Sequence, residues 1–450
     1  MRIHLIAIGG SIMHNLAIDL KNNGHTVSGS DDTIHEPSLS RLKQQHLLPE
    51  KLGWFPDKIT RDIDLVIVGM HAQKDNPELL KAQELKLKIY SYPEFIYHHS
   101  IHKKRIVIGG SYGKTTITSI ILHVLKKNHL LCDYLVGAQL EGFDTMVKIT
   151  NTHPLLIAEG DEYLASPIDA RPKFLIYKPH IAVISGIAWD HINVFPTYQS
   201  YKNSFLQFIQ SIEPQGTLIY NQQDPEIQTL IQQANRTDIE YIPYSYPPYH
   251  IKNKQIQIQY QNKLYPIQIF GQHNLQNIEA ARAVCQKLNI TAEQFLQSIT
   301  DFKGAAKRLE KWIDKPPFLV FRDFAHAPSK VKATIEAVRE IYPHLPLLAA
   351  FELHTYSSLN EKFLSEYKDT LSKADFKMIF FDAHTLQTKK MPPLHKETII
   401  KAFNDETIIV TEQKNDLLKH LKNIGIQNKI TLLMSSGTFS NLSKDELLTL

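Results

Sequence analysis

Residues 105–127 read RIVIGGSYGKTTITSIILHVLKK. An apolar run enters a turn rich in glycine, and Ile117, Ile120, Ile121, Val124 and Leu125 then recur at helical spacing. Strand, turn and helix in that order can cradle phosphate. Consecutive N–H groups of a glycine turn wrap phosphate oxygens, and the helix N-terminus adds positive potential. Lys114 then reaches the outer phosphates and the Thr115 hydroxyl joins a Mg²⁺ shell. The turn is shorter than the usual Walker A spacing, because Ile108 stands where that motif has a glycine. A strand-to-helix turn with glycines for geometry alone would read the same way at this point.

Outward from this stretch the chain keeps alternating. IHLIAI (3–8), HTVSGSD, DLVIVGM and LKIYS are strand candidates before it, and a stripe of Ile12, Met13, Leu16, Ala17 and Leu20, closed by Gly24, predicts a first helix. After it come PLLIAEGD, HIAVISGI and GTLIYN, then a predicted surface hairpin over 251–269 with Pro266 near an edge. FLVFRDFA, PLLAAFEL, FKMIFFDA, ETIIVT and ITLLMSSG continue the pattern to the end. The expectation is an α/β chain of three successive domains, 1–103, 104–302 and 303–450.

Bulk composition narrows the class. The 450 residues are 43% apolar and 21% charged with a formal charge of +4, and carry no block of like charge. Nucleic-acid binding is not indicated, while a polyanionic small substrate is compatible. Cys132 and Cys285 are too few for a disulfide framework or a zinc site. No run approaches the ~18 apolar residues of a membrane span. MRIHLIAIGGSIM reads as a first strand and not a signal peptide, so the expected location is cytoplasmic.

Further motifs sit at strand ends. AEGDEY brings Glu159, Asp161 and Glu162 to the end of an apolar run, where carboxylates can complete Mg²⁺ coordination or form a solvated acidic loop. In WDHINVF (189–195), His191 is either a metal ligand or a capping residue. GQHNLQN (271–277) places Gly271, His273 and Asn274 ahead of a helix, as base-edge contacts or as an N-cap. FRDFAHAPS (321–329) exposes Asp323 and His326 before a helix opened by Pro328.

In this order the stretches resemble the Mur ligase family, the amide ligases that build peptidoglycan precursors. GGSYGKTT resembles the family's short G-T/S-H-G-K-T-T loop, AEGDEY its E-A-D-E segment, and WDH its A/F-D-H segment. GQHNLQN resembles G-x-H-N-x-x-N, FKGAAKRLE (302–310) resembles F-x-G-x-x-R-R-x-E, and RDFAHAP resembles D-D-Y/F-A-H-H-P. IAIGGSIMHNLA and VSGSD resemble the uridine-nucleotide loops of the muramate-using branch. The resemblance implies a Rossmann-like UDP-binding domain, a central P-loop ATPase-type domain and a Rossmann-like third domain. It implies ATP and Mg²⁺, and UDP-N-acetylmuramate joined to a free peptide or amino acid through an acyl phosphate.

Carried over residue by residue, Gly110, Ser111, Gly113, Lys114, Thr115 and Thr116 would hold the ATP phosphates. His273, Asn274 and Asn277 would hold adenine, and Asp323 the ribose or hinge region. Thr115, Glu159 and His191 would bind metal, and Arg308 would reach the phosphates. Gly9, Gly10, Ser30 and Asp31 would hold the uridine diphosphate. His326, with His354, is a candidate near the incoming amine. Tyr163, RPKFLIYKPH (171–180), Trp189 and MSSGTFSNL look more like members that attach L-Ala-γ-D-Glu-meso-diaminopimelate than like those that add L-alanine. Departures stand at Tyr112 (for histidine), Gly186 (asparagine), Ala188 (glutamate), Lys307 (arginine), Arg322 (aspartate) and Ala327 (histidine), and they leave a catalytically silent UDP-muramate-binding regulator as an alternative.

Overall fold

The apolar runs become parallel strands in the computed structural model, which describes residues 1–189 and 192–450. Two compact units form. One comprises Met1–Ile187, Lys202–Tyr244 and Ala280–Ile290; the other comprises Ala188–Tyr201, Ser245–Glu279 and Thr291–Leu450.

The first unit opens with β1 (Arg2–Ile6), α1 (Ser11–Asn22), β2 (Thr26–Ser30), β3 (Leu65–Val68) and β4 (Ile89–Ser91). These strands make a parallel sheet in the order β2-β1-β3-β4. Strand β3 is buried along its whole length, which is why LVIV is continuously apolar and not alternating. Gly24, at φ 82°, turns the chain after α1 as expected.

A seven-stranded sheet follows: β5 (Lys104–Gly109), β6 (Asp133–Leu135), β7 (Val147–Lys148), β8 (Leu155–Glu159), then β11 (Ile181–Ile184), β12 (Thr217–Asn221) and β13 (Glu240–Tyr244). Between β8 and β11 the chain forms a small antiparallel ribbon, β9 (Leu164–Ser166) with β10 (Asp169–Pro172). The order β13-β12-β11-β5-β8-β6-β7 sets β5 between β8 and β11, both parallel to it. The strands that follow β5 lie on either side of it, and in open α/β sheets the crevice beyond such a strand collects ligands. Helix α2 (Lys114–Lys127) buries Ile117, Ile120, Ile121, Val124 and Leu125 completely. The helical stripe is therefore a core face.

In the second unit, β14 (Tyr249–Lys252), β15 (Gln255–Tyr260) and β16 (Lys263–Ile267) form an antiparallel sheet of three strands. The hairpin expected from residue 251 has this additional strand before it. Ile256 and Ile258 point inward, and Pro266 lies on an edge strand where no inner ladder needs its missing N–H. Helix α3 (Gln272–Lys287) comes next in the chain.

The last sheet contains β17 (Glu310–Lys315), β18 (Phe318–Asp323), β19 (Leu347–Glu352), β20 (Phe376–Phe380), β21 (Ile409–Thr411) and β22 (Ile430–Met434) in the order β17-β18-β22-β19-β20-β21. Helix α4 (Pro328–Ile341) follows β18, with Pro328 in its first turn. Strand β17 is antiparallel to β18 and had no apolar run to announce it. Leu348, Ala350, Met378, Phe380, Leu417 and Leu433 form the core on one face. Cys132 and Cys285 are both free. Among the described residues no helix is long and apolar enough to cross a membrane.

Candidate active site

The glycine turn after β5 is fixed by its neighbour β11. Ser111 N donates to the Gly186 carbonyl at 2.9 Å, and Ser185 N donates to the Gly109 carbonyl at 3.1 Å. The Ser185 hydroxyl also donates to the Tyr112 carbonyl. Gly110 and Gly113 take φ values of 127° and 78°, a region that strains any residue with a Cβ. A Cβ on Gly110 would in addition overlap the Ser185 hydroxyl and lie 2.9 Å from its amide. The glycines are thus required by backbone handedness and by close approach. Lys114 follows as the first residue of α2.

Lys114 Nζ donates to the Gly110 carbonyl at 2.6 Å and to both Glu162 oxygens at 2.8 and 3.0 Å. Glu162 is fully buried, while the Lys114 side chain keeps 14% exposure. Burial pulls the ammonium pKa down, but Glu162 and then Asp161 outweigh it, so the net shift is upward and the cation is retained. Asp161 is itself paired with Lys173 at 2.6 Å.

Beside this lysine, the Thr115 hydroxyl donates to Glu159 at 2.8 Å, and the second Glu159 oxygen accepts from Gly137 N at 2.7 Å. A Cβ at Gly137 would stand 2.8–2.9 Å from those oxygens, so a larger residue there would push the Glu159 carboxylate out of this position. A hydroxyl and a carboxylate in contact next to a lysine are hard oxygen donors of the kind that suit Mg²⁺. Among the described residues no group of three or more His, Cys, Asp or Glu side chains is arranged for a metal. His191, the third expected ligand, lies outside the described residues. Thr116 is buried on α2.

Glu162, read in the sequence as a metal carboxylate or part of a solvated acidic loop, is instead the buried partner of Lys114, and Gly137 and Ser185 escaped the sequence reading. Gly137 carried a usable signal, since it ends the run DYLVG at a strand terminus. Ser185 carried none.

The N-terminal loops make a different turn. Gly9 N donates to the Asp31 carboxylate at 2.7 Å, and the Ser30 carbonyl accepts from Ala7 N and Ile8 N at 2.9 and 3.1 Å. Gly10 is the N-cap of α1. Asp31 is buried, and burial raises its pKa despite the Gly9 hydrogen bond.

In the second unit His273, Asn274 and Asn277 stand inside α3 and not ahead of it, because the helix already starts at Gln272. Asn274 is no N-cap: its amide donates to the Phe270 carbonyl at 2.9 Å, and Asn277 donates to Asn274 at 3.3 Å. Burial lowers the His273 pKa, with Asp323 opposing. Asp323 and His326, expected to be exposed, are each only 8% exposed. The Asp323 carboxylate accepts from Leu309 N at 2.5 Å and from Ala325 N at 2.7 Å, which ties the loop before β17 to the end of β18. His326 Nδ1 bonds the Phe324 carbonyl at 2.8 Å. Arg308 lies over the Phe324 ring, 4.4 Å from its centroid. At the end of β19, buried Glu352 accepts from Phe439 N at 2.8 Å, and burial lowers the pKa of nearby His354.

A largely parallel sheet with a glycine turn, an anchored lysine and a hydroxyl–carboxylate pair at its central crevice is the architecture of the α/β phosphate-loop class. The chain belongs to the Mur ligase family. Residues 2–104 match the model of the Mur ligase family catalytic domain, and residues 108–285 match that of the Mur ligase middle domain. The chain is similar to a UDP-N-acetylmuramate–L-alanine ligase from Caldicellulosiruptor bescii, 34% identical over 86% of this chain and 84% of that one. Among solved structures it resembles the UDP-N-acetylmuramate–alanine ligase of Thermotoga maritima, with a TM-score of 0.73, 18% identity and coverage of 100% and 98%. A murein peptide ligase from Psychrobacter arcticus gives a TM-score of 0.69, 20% identity and the same coverage. The family joins amide bonds at the expense of ATP in peptidoglycan synthesis, and the α/β fold of this chain matches that of its solved structures.

Proposed function

We propose that this protein ligates an amine to the lactyl carboxylate of UDP-N-acetylmuramate, with ATP converted to ADP and phosphate. Lys114 carries the reading. It sits at the start of α2 after two left-handed glycines, beside the Thr115–Glu159 pair. A carboxylate expels oxide poorly near neutral pH, so it must first be activated as an acyl phosphate. The two anions repel, and cationic groups must stand between them. Lys114, held by Glu162, presents one such charge to the phosphates. Mg²⁺, when bound, adds further charge neutralisation; Thr115, Glu159 and His191 are the residues proposed to hold it.

The other assignments are proposals of the same kind. Gly110, Ser111, Gly113 and Thr116 contact phosphate oxygens, and Arg308 contributes charge. His273, Asn274, Asn277 and Asp323 serve the nucleoside, while Gly9, Gly10, Ser30 and Asp31 serve the UDP-sugar. The domains 1–103, 104–302 and 303–450 are proposed to divide this work. Both nucleotide substrates are cytoplasmic, and the reaction is read as cytoplasmic for that reason.

L-Alanine is the amine we favour, because the curated relatives are named for it. The tripeptide preferred from sequence segments such as RPKFLIYKPH has weaker support, a structural neighbour of 20% identity. It remains the second reading, since those segments belong to this chain. Phosphate release with UDP-N-acetylmuramate plus L-alanine, dipeptide, L-Ala-γ-D-Glu-meso-diaminopimelate or no amine separates the two. Turnover with L-alanine is expected. Turnover with the tripeptide alone would exchange the readings, and equal turnover without any amine would remove the ligase reading.

A further inference from the structure

Two departures from the family motifs, Tyr112 and Gly186, meet in space. A Cβ built on Gly186 would lie 2.5 Å from Tyr112 Cε1 and closer still to Cζ and the hydroxyl. The ring therefore lies where a side chain at 186 would begin. Three atoms of a rigid ring are involved and not just a flexible tip, so any residue larger than glycine must drive the ring out.

The ring is also held from its far side. Asp224 and Asn221 stand near enough to the Tyr112 hydroxyl to act on it: burial first, and Asp224 second, push its pKa up to about 12, with Asn221 opposing. Asn221 in turn bonds the Ser185 carbonyl at 3.3 Å, and Asp224 accepts from Ile187 N at 2.7 Å. The main chain of the same residue is pinned as well, since its carbonyl accepts from the Ser185 hydroxyl. Residues 185–187 and 221–224 thus grip residue 112 by backbone and side chain together.

We infer that Tyr112 is a positioning residue for the phosphate loop, able to act only because residue 186 is glycine. The inference rests on the reading that this loop holds ATP. Tyr112 stands between the two loop glycines Gly110 and Gly113 and two residues before Lys114, so where its ring sits decides where those backbone N–H groups and that ammonium point. A histidine at 112 with asparagine at 186 is one solution, and tyrosine with glycine is another. Neither half serves with the wrong partner. On this view the two departures are one compensated exchange, and they do not mark a silent protein.

The test measures binding of ATP with Mg²⁺ to the full chain by calorimetry, with no sugar or amine present, alongside thermal melting. Gly186→Asn should weaken ATP binding by about tenfold, within the range for coupled side chains in contact. Tyr112→His should weaken it less, and the double variant Tyr112→His/Gly186→Asn should return to within about threefold of the parent. Melting temperatures should not follow that order. If Gly186→Asn fails to fold, Gly186→Ala carries the same expectation, because the Cβ alone makes the overlap. Unchanged affinity in the single variants, a double variant whose loss is the product of both, or losses that track melting temperature would overturn the inference. A parent that binds L-alanine or UDP-N-acetylmuramate but no ATP would overturn the nucleotide reading together with it.

Discussion

The tripeptide Gly-Gly-Ser leaves a parallel strand twice, at residues 9–11 and again at residues 109–111, and builds two different devices. In the first, Gly10 has φ −57° and α1 starts at once with Ser11. Its turn is closed by a carboxylate, because Asp31 takes the Gly9 amide at 2.7 Å. In the second, Gly110 has φ 127°, and Ser111, Tyr112 and Gly113 intervene before α2 begins. Added length and reversed handedness open that turn into a cradle with a lysine at its lip. The first closes its amide on a carboxylate where the second presents an ammonium, so only the second offers a fixed cation at its lip. Identical letters therefore do not mean an identical site. Neighbouring residues 20 to 75 positions away decide it.

Lys114→Ala should separate the two turns most sharply. Phosphate release should vanish, while UDP-N-acetylmuramate binding at the other turn persists. The variant also strands Glu162 in the interior, at a cost of about 3 kcal/mol, measurable by denaturant unfolding. Equal loss of both ligands in a folded variant would contradict separate roles.

Gly110→Ala comes next. The positive φ costs about 1–2 kcal/mol and the overlap with Ser185 about 1–3 more, so about 2–5 kcal/mol should be lost. A loss below about 1 kcal/mol would show that the cradle yields freely.

The helices after the two turns are also anchored differently. Helix α2 is held by apolar side chains, whereas α1 buries Asp19, whose carboxylate accepts from Ile149 N at 2.8 Å. Burial raises the Asp19 pKa from 3.8 to about 6. Between those values the folded chain binds the proton more readily than the unfolded one, so stability falls as pH rises from about 4 to about 6 and is level above. Asp19→Asn should remove up to about 3 kcal/mol of that fall. A pH profile of unfolding free energy that does not change would place the titration elsewhere.

Much of this was legible in the chain. The strand–turn–helix over 105–127, the acidic strand end at Glu159 and the parallel alternation all follow from local periodicity. Strand β17 was not, because EKWIDK at a sheet edge offers only two apolar residues, of which Ile313 is buried and Trp312 half-buried against the same core. The exposure of Asp323 and His326 was misread for a related reason: polar residues at a strand end look solvated until the loop that covers them is known. Here the 305–309 segment supplies the Leu309 amide that fills the Asp323 carboxylate. Partnerships such as Lys114 with Glu162 span 48 residues and leave no local signature.

The smallest effects offer the finest comparison, within one turn. A Cβ on Gly9 would come 2.8 Å from Ile34 Cγ1 and 2.9 Å from Asp31 Oδ2, so Gly9→Ala must displace the carboxylate that closes the turn. A loss of about 1–2 kcal/mol is expected. Gly10 is adjacent, yet its nearest neighbour would be Met13 Cγ at 3.5 Å, ordinary contact, and its φ suits any residue. Gly10→Ala should therefore change unfolding free energy by less than about 0.5 kcal/mol. If it nevertheless weakens UDP-N-acetylmuramate binding without altering stability, Gly10 serves ligand approach. If both variants behave alike, Asp31 is not what closes the turn, and the contrast with the open cradle at Gly110 loses its physical basis.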